Sequence, residues 1–186
     1  MKFEDLIEKN KSAIVKSWFD LILDTYPAET AKFLKKQKDR FANPVGFAVY
    51  QGIEGIFDQV CHEIDPDTIN SFLDRIVRVR AIQEFSPSQA VGFIFLLKHA
   101  IREELKKEIR KNGYVREMLN IETKIDELAL ISFNIYMECR EKLYDIKFNE
   151  VRNKTYSLLK KANFLYEIPE TLSDIKGAYC PGKCGS

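Results

Sequence analysis

At 186 residues the chain has the length of one compact domain, on the usual scale of roughly 100–200 residues per domain. With 45% hydrophobic and 31% charged residues it is composed like an ordinary globular protein, large enough to bury a core without disulfides or a structural metal. Lysine and arginine total 29 against 28 acids, a formal charge of +1, so the basic excess that a nucleic-acid binder sets against phosphates is missing.

The opening run Met1-Lys-Phe-Glu-Asp does not read as a signal peptide, which would begin with a basic end followed by an apolar stretch. No stretch reaches the roughly 18–20 apolar residues that span a bilayer. Ala90 to Leu97 comes nearest and runs into Lys98, His99 and the charged segment Arg102 to Lys107. Four cysteines, two of them near the end, do not make the dense framework of a secreted disulfide protein. The chain reads as cytoplasmic, with no membrane span.

Apolar residues at Phe3, Leu6, Ile7, Ile14, Trp18, Leu21 and Ile22 share one face at helical spacing, which predicts a first helix from about Phe3 to Thr25. Tyr26-Pro27 ends it, because a residue before proline avoids the helical region. A short helix from about Ala28 to Lys38 follows. Asn43-Pro44, Asp65-Pro66 and Ser86-Pro87 each place a capping side chain before a proline, which tolerates the first helical position. They predict helices from Pro44 to about Glu63, Pro66 to about Ile82 and Pro87 to about Lys111. Asn112-Gly113 supplies a stop. A long last helix begins between Tyr114 and Asn120 and extends to Asn149 or as far as Lys161. Nothing alternates with period two for long enough to form a strand.

Two helices carry more. Val91, Phe93, Ile94, Phe95, Leu96 and Leu97 surround the whole circumference, so this helix is expected to be buried centrally. Leu128 to Met137 is also apolar on more than one side, so its second face is covered either by this chain or by a second subunit. The seam Ile121, Ile125, Leu128, Ser132, Ile135, Cys139 steps by fours and threes as paired helices do, and favours a homodimer.

The chain has two histidines. His99, in the central helix, is the candidate to hold a cofactor such as haem; a histidine hydrogen-bonded at the edge of the core is the more ordinary reading. His62 follows Cys61 at a helix end, where it would suit the helix dipole. Gln59 and Leu96 stand three residues before the histidines, so the Glu-x-x-His pairs of a di-iron bundle are absent. No metalloprotease helix, phosphate loop or nucleotide fingerprint occurs, and no nucleophile lies in a recognisable setting. Glu103-Glu104 sits among lysines as a salt-bridged surface would. No catalytic site is expected.

Cys180 and Cys184, four apart around a Pro-Gly turn, form a candidate redox or metal pair, against the ordinary reading of an inert end. Cys61 and Cys139 read as small buried hydrophobes. Gly46, Gly52 and Gly55 inside one helix each cost about 1 kcal/mol relative to alanine, which close packing explains more readily than a ligand cavity. Arg75, Arg78 and Arg80 could form a basic contact face of a partner-binding adaptor, though three such arginines usually mark a solvated helix face.

Three segments carry a family resemblance. Trp18-Phe-Asp-Leu-Ile-Leu-Asp-Thr-Tyr26-Pro27, Phe41-Ala-Asn43-Pro44-Val45-Gly46 and Phe85-Ser86-Pro87-Ser-Gln-Ala90-Val91 are similar to the amino-terminal domain of RsbRD-type proteins. Those are co-antagonists of the RsbT kinase in the bacterial stressosome. The likeness runs from about Phe3 to Leu143. It implies an all-α, globin-like domain of about six helices with a long C-terminal helix, haem-free and dimeric, acting as a sensory or interaction module. Globin order would put a proximal histidine on the Pro66–Ile82 helix, which has none. Relatives usually continue into a STAS domain; here the cysteine tail stands at that place, so the sensor part is expected to act without it.

The expectation is thus a globin-like sensor domain over residues 1–168 and a Cys-x3-Cys tail over 169–186. The protein is read as a non-enzymatic, cytoplasmic homodimer without a cofactor, meeting an unidentified protein partner or small-molecule ligand. The alternative is a redox, haem or metal-binding protein using His99 or His62 with Cys180 and Cys184.

Overall fold

Three of the helices begin where a capping side chain precedes a proline. The computed structural model describes residues 2–35, 43–83, 85–162 and 164. Among them are seven α-helices and no strand: α1 (Phe3–Leu23), α2 (Ala28–Leu34), α3 (Pro44–Cys61), α4 (Pro66–Ile82), α5 (Pro87–Glu104), α6 (Lys106–Asn112) and α7 (Val115–Lys161). Asn43 Oδ1 accepts from the Gly46 amide at 2.8 Å and Asp65 Oδ2 from the Thr68 amide at 2.9 Å, each satisfying a first-turn N–H that no helical carbonyl can reach. Ser86 and Gln89 close a reciprocal box, with the Ser86 amide 3.1 Å from Gln89 Oε1. Asn43 does a second job. Its Nδ2 donates to Phe33 O at 2.7 Å and Leu34 O at 3.2 Å, so one buried amide caps the end of α2 and the start of α3 together.

The expected Pro87–Lys111 helix is two helices. It breaks at Leu105, whose φ of −103° and ψ of 11° leave the helical well. No glycine or proline stands there; Leu105 is fully buried, and the requirement to seat it in the core overrides local propensity. Gly113 ends α6 in the left-handed conformation, φ 70°, as the Asn-Gly pair predicts.

The chain divides into two units, Met1–Lys142 and Leu143–Ser186. In the first, α1 packs most extensively on α5 and α3 on α4. Trp18, Ile14 and Ile22 of α1, Ile53, Ile56 and Phe57 of α3, Leu73 and Val77 of α4, Phe93 and Leu97 of α5, and Ile125 and Leu128 of α7 are all sealed from solvent. Trp18 Nε1 donates to Phe93 O at 2.7 Å. The glycines of α3 are packing residues: a Cβ on Gly55 would come within 2.5–2.8 Å of Phe72 ring carbons, and one on Gly52 within 3.0 Å of Ile76 Cδ1. This sustains the close-packing reading of these positions and leaves no room for a ligand at Gly55.

The α7 seam at Ile121, Ile125, Leu128, Ser132 and Cys139 is buried within its own chain. Its four-three stepping therefore reflects packing inside the molecule, and does not itself argue for a partner subunit. In the second unit, every described residue from Tyr144 onward is exposed.

Candidate functional site

α5 is not covered all round. Phe93, Ile94 and Leu97 face the core, but Phe95 is 45% exposed and Gly92 only half-buried. The uncovered side of α5 meets the outward side of α7, where Leu130 is 69% and Phe133 44% exposed. Between them lies an open groove of about 750 Å³, with Val91, Gly92 and Ala129 at its floor and Phe95, Leu130 and Phe133 along its sides. A Cβ on Gly92 would meet no heavy atom within 4 Å, so the α5 backbone itself is accessible from the groove. At one edge Lys98 Nζ pairs with Asp126 Oδ1 at 2.7 Å and lies 5.7 Å from the Phe95 ring centroid, neutralising the polar rim. An exposed, contiguous apolar face of this kind is the usual mark of an interaction surface. The sequence signal for it was the second apolar side of Leu128 to Met137, which the chain leaves open at Leu130, Phe133 and Met137.

Among the described residues, those singled out for chemistry are not brought into one site. His99 is exposed on α5, whereas a haem ligand needs enclosing apolar walls. His62 caps the end of α3: its Nδ1 lies 2.9 Å from Asp58 O, and its own carbonyl accepts from Lys124 Nζ, which also reaches Val60 O at 3.1 Å. A lysine on these last carbonyls complements the negative end of the helix dipole. His62 and Cys61 line a cleft of about 400 Å³ floored by Phe3, Ile7 and Val60. Burial, helped by the charges of Asp58 and Glu8, pushes the Cys61 thiol up to about 12. Burial also raises the Cys139 thiol. Thiols held protonated are poor nucleophiles and poor metal ligands. Cys180 and Cys184 lie outside the described residues, as does the expected boundary after residue 168.

The arginine face does not exist as expected. Arg75 and Arg78 are exposed, with Arg78 paired to Asp74, but Arg80 is 0% exposed. Its Nη2 donates to Thr25 Oγ1 at 2.6 Å, Nη1 to Gln89 O at 3.0 Å and Nε to Tyr26 Oη at 3.2 Å. Its Cζ lies 4.8–5.2 Å from the ring centroids of Tyr26, Phe85 and Phe93. These partners are neutral, so a buried cation here is held by fork-shaped donors and ring faces. Helical stepping turns position 80 inward beside Ile76 and Val77, away from positions 75 and 78.

The family described as the RsbT co-antagonist protein rsbRD N-terminal domain matches residues 12–148. The chain belongs to this family. The RsbRD N-terminal match contains the whole groove, from Pro87 on α5 to Phe133 on α7, together with Arg80 and its partners. An uncharacterized protein of Archaeoglobus fulgidus is 23% identical to it over 146 residues, 76% of this chain and 84% of that protein. No solved structure matches the chain. RsbRD N-terminal domains are regulatory modules of stress signalling. No described helix of this one is long and apolar enough to cross a membrane.

Proposed function

We propose that the protein is a non-enzymatic regulatory module, sensory in role, that works as a haem-free homodimer docked through the α5–α7 groove. The open groove carries this reading. It holds protruding Phe95, Leu130 and Phe133 beside a trough at Gly92 and Ala129, so one surface supplies both knobs and hole. A two-fold dimer requires a patch that complements itself in this way. Pairing would cover a face that costs free energy when left in water, roughly 25 cal/mol for each Å² of apolar area buried. The dimer would then present a composite surface to a protein of the stress-signalling apparatus, in keeping with the family. No observation favours a redox or haem protein, given the exposed His99 and the protonated Cys61 thiol.

Native mass spectrometry of the full chain tests this, alongside the double variant Leu130→Glu, Phe133→Glu. A dimeric parent and a monomeric variant with unchanged helical circular dichroism are expected. A monomeric parent, or a variant that stays dimeric, would overturn the groove as the dimer face. Mass released on denaturation would identify any bound small molecule.

A further inference from the structure

The last stretch of α7, from Leu143 to Lys161, carries an apolar face that the chain leaves in water. At 3.6 residues per turn, Leu158, Val151, Thr155, Phe148 and Leu159 fall in that order across an arc of about 100°. No charged side chain falls within the arc. Phe148 is 65%, Val151 63% and Leu158 66% exposed, and so to a lesser degree is Leu159. Ile146 and Tyr156 fall outside it, on the polar side. Lys147, Lys154 and Lys161 follow each other at seven-residue spacing along one margin, and Arg152 stands on the other. Between Leu143 and Lys161 five basic residues stand against two acidic ones, whereas the whole chain has 29 against 28. The helix is therefore basic and the rest of the chain net acidic.

We infer that residues 143–161 of α7 bind anionic membrane surfaces, lying along the interface. No described helix is long and apolar enough to cross a bilayer, so the contact is peripheral. The inference is independent of the groove dimer.

Charge and shape together select this occupant. Both margins of the arc are cationic, so a second copy laid on it would set like charge beside like. Every described residue from Tyr144 onward is exposed, so the face is the convex side of a single helix. It has no trough to receive the side chains of a rigid partner, and a fluid interface needs none. A basic amphipathic helix with Phe and Leu on its uncharged side is the kind that lies in the headgroup region. Phe148, Val151, Leu158 and Leu159 enter the acyl boundary there. The stems of Lys147, Lys154, Lys161 and Arg152 run alongside them, and their charged heads reach back to lipid phosphates. Lys154 is paired with Glu150, an exposed contact that it can leave at little cost.

Co-sedimentation of the full chain with vesicles tests the inference. Pure phosphatidylcholine vesicles are compared with equal mixtures of phosphatidylcholine and phosphatidylglycerol. Each basic residue drawn to an anionic surface strengthens binding about fivefold, so the mixed vesicles are expected to bind on the order of a hundredfold better. Raising salt from about 0.05 M to 0.5 M should remove most of that preference. The double variant Phe148→Gln, Val151→Gln should bind at least about tenfold more weakly, because its apolar insertion is lost. Both positions are exposed, so helical circular dichroism should be unchanged. Ile146→Gln, off the face, should bind as the parent does. No binding to either vesicle, as an acidic protein partner would give, or equal binding to both, would overturn the inference. So would equal losses in Ile146→Gln and the double variant, or binding lost only when Leu130 and Phe133 of the groove become glutamate. Native mass reads the groove dimer separately, and a monomeric parent that binds the mixed vesicles would leave this inference standing.

Discussion

The guanidinium of Arg80 lies with Nη2 2.6 Å from the hydroxyl of Thr25, a residue 55 positions earlier in the chain. This bond and its neighbours to Tyr26 and Gln89 tie the end of α1, the last turn of α4 and the first turn of α5 around one buried charge. Arg80→Ala would leave two hydroxyls and a carbonyl without their donor and a cavity besides. We expect it to cost about 3–5 kcal/mol in urea unfolding. Arg80→Met, which keeps the stem, should cost clearly less, and Arg80→Lys more than Arg80→Met, because an ammonium cannot fork to three acceptors or stack on rings. An alanine variant within about 1 kcal/mol of the parent would show the cluster to be dispensable.

Two glycines, Gly55 on α3 and Gly92 on α5, should respond oppositely to the same change. Gly55→Ala drives a methyl group to within 2.5–2.8 Å of the Phe72 ring, an overpacking that should cost about 1–3 kcal/mol despite better helix propensity. Gly92→Ala meets nothing within 4 Å and should gain about 0.5–1 kcal/mol. The comparison is best read at protein concentrations low enough to keep the chain monomeric, since Gly92 lies in the groove. Equal effects at the two sites would contradict the packing described.

Cys61 gives a pH dependence with a definite sign. Its thiol keeps its proton to about 12 in the folded chain, against a reference value of 9.0. Between those values the unfolded chain ionises while the folded one does not. The stabilising contribution is therefore whole below pH 9 and is lost as pH climbs toward 12, by at most about 1.4 kcal/mol per pH unit. Urea midpoints across that range should fall less steeply for Cys61→Ala than for the parent. At pH 8, with Cys180 and Cys184 replaced by serine, iodoacetamide should modify Cys61 far more slowly before denaturant is added than after. Rapid modification of the native protein would refute a half-buried thiol held protonated.

Helix starts were legible because their causes are local. Asn43, Asp65 and Ser86 cap helices within three residues of themselves, and the chain before and after Pro44, Pro66 and Pro87 folds accordingly. The break at Leu105 was not legible, since burial of that side chain depends on helices far away in sequence. Arg80 was read with Arg75 and Arg78 as surface, because charge outweighs phase in a quick reading, although position 80 falls four after Ile76. The groove was half legible: two apolar sides at Leu128–Met137 showed that something must cover α7, but only the fold showed which side its own chain covers. The seam chosen for pairing, Ile121 to Cys139, proved to be the inner one.

Trp18 is the chain's one tryptophan. It is wholly shielded, stacked at 11° to the Phe93 ring with centroids 6.3 Å apart, and hydrogen-bonded to the Phe93 carbonyl 75 residues away. Its fluorescence therefore has a single origin, at the place where α1 and α5 meet. No other indole dilutes the signal, and neither the groove nor the far end of α7 contributes to it. Emission colour and quenching thus form a built-in optical gauge of whether those two helices are docked, readable without any label.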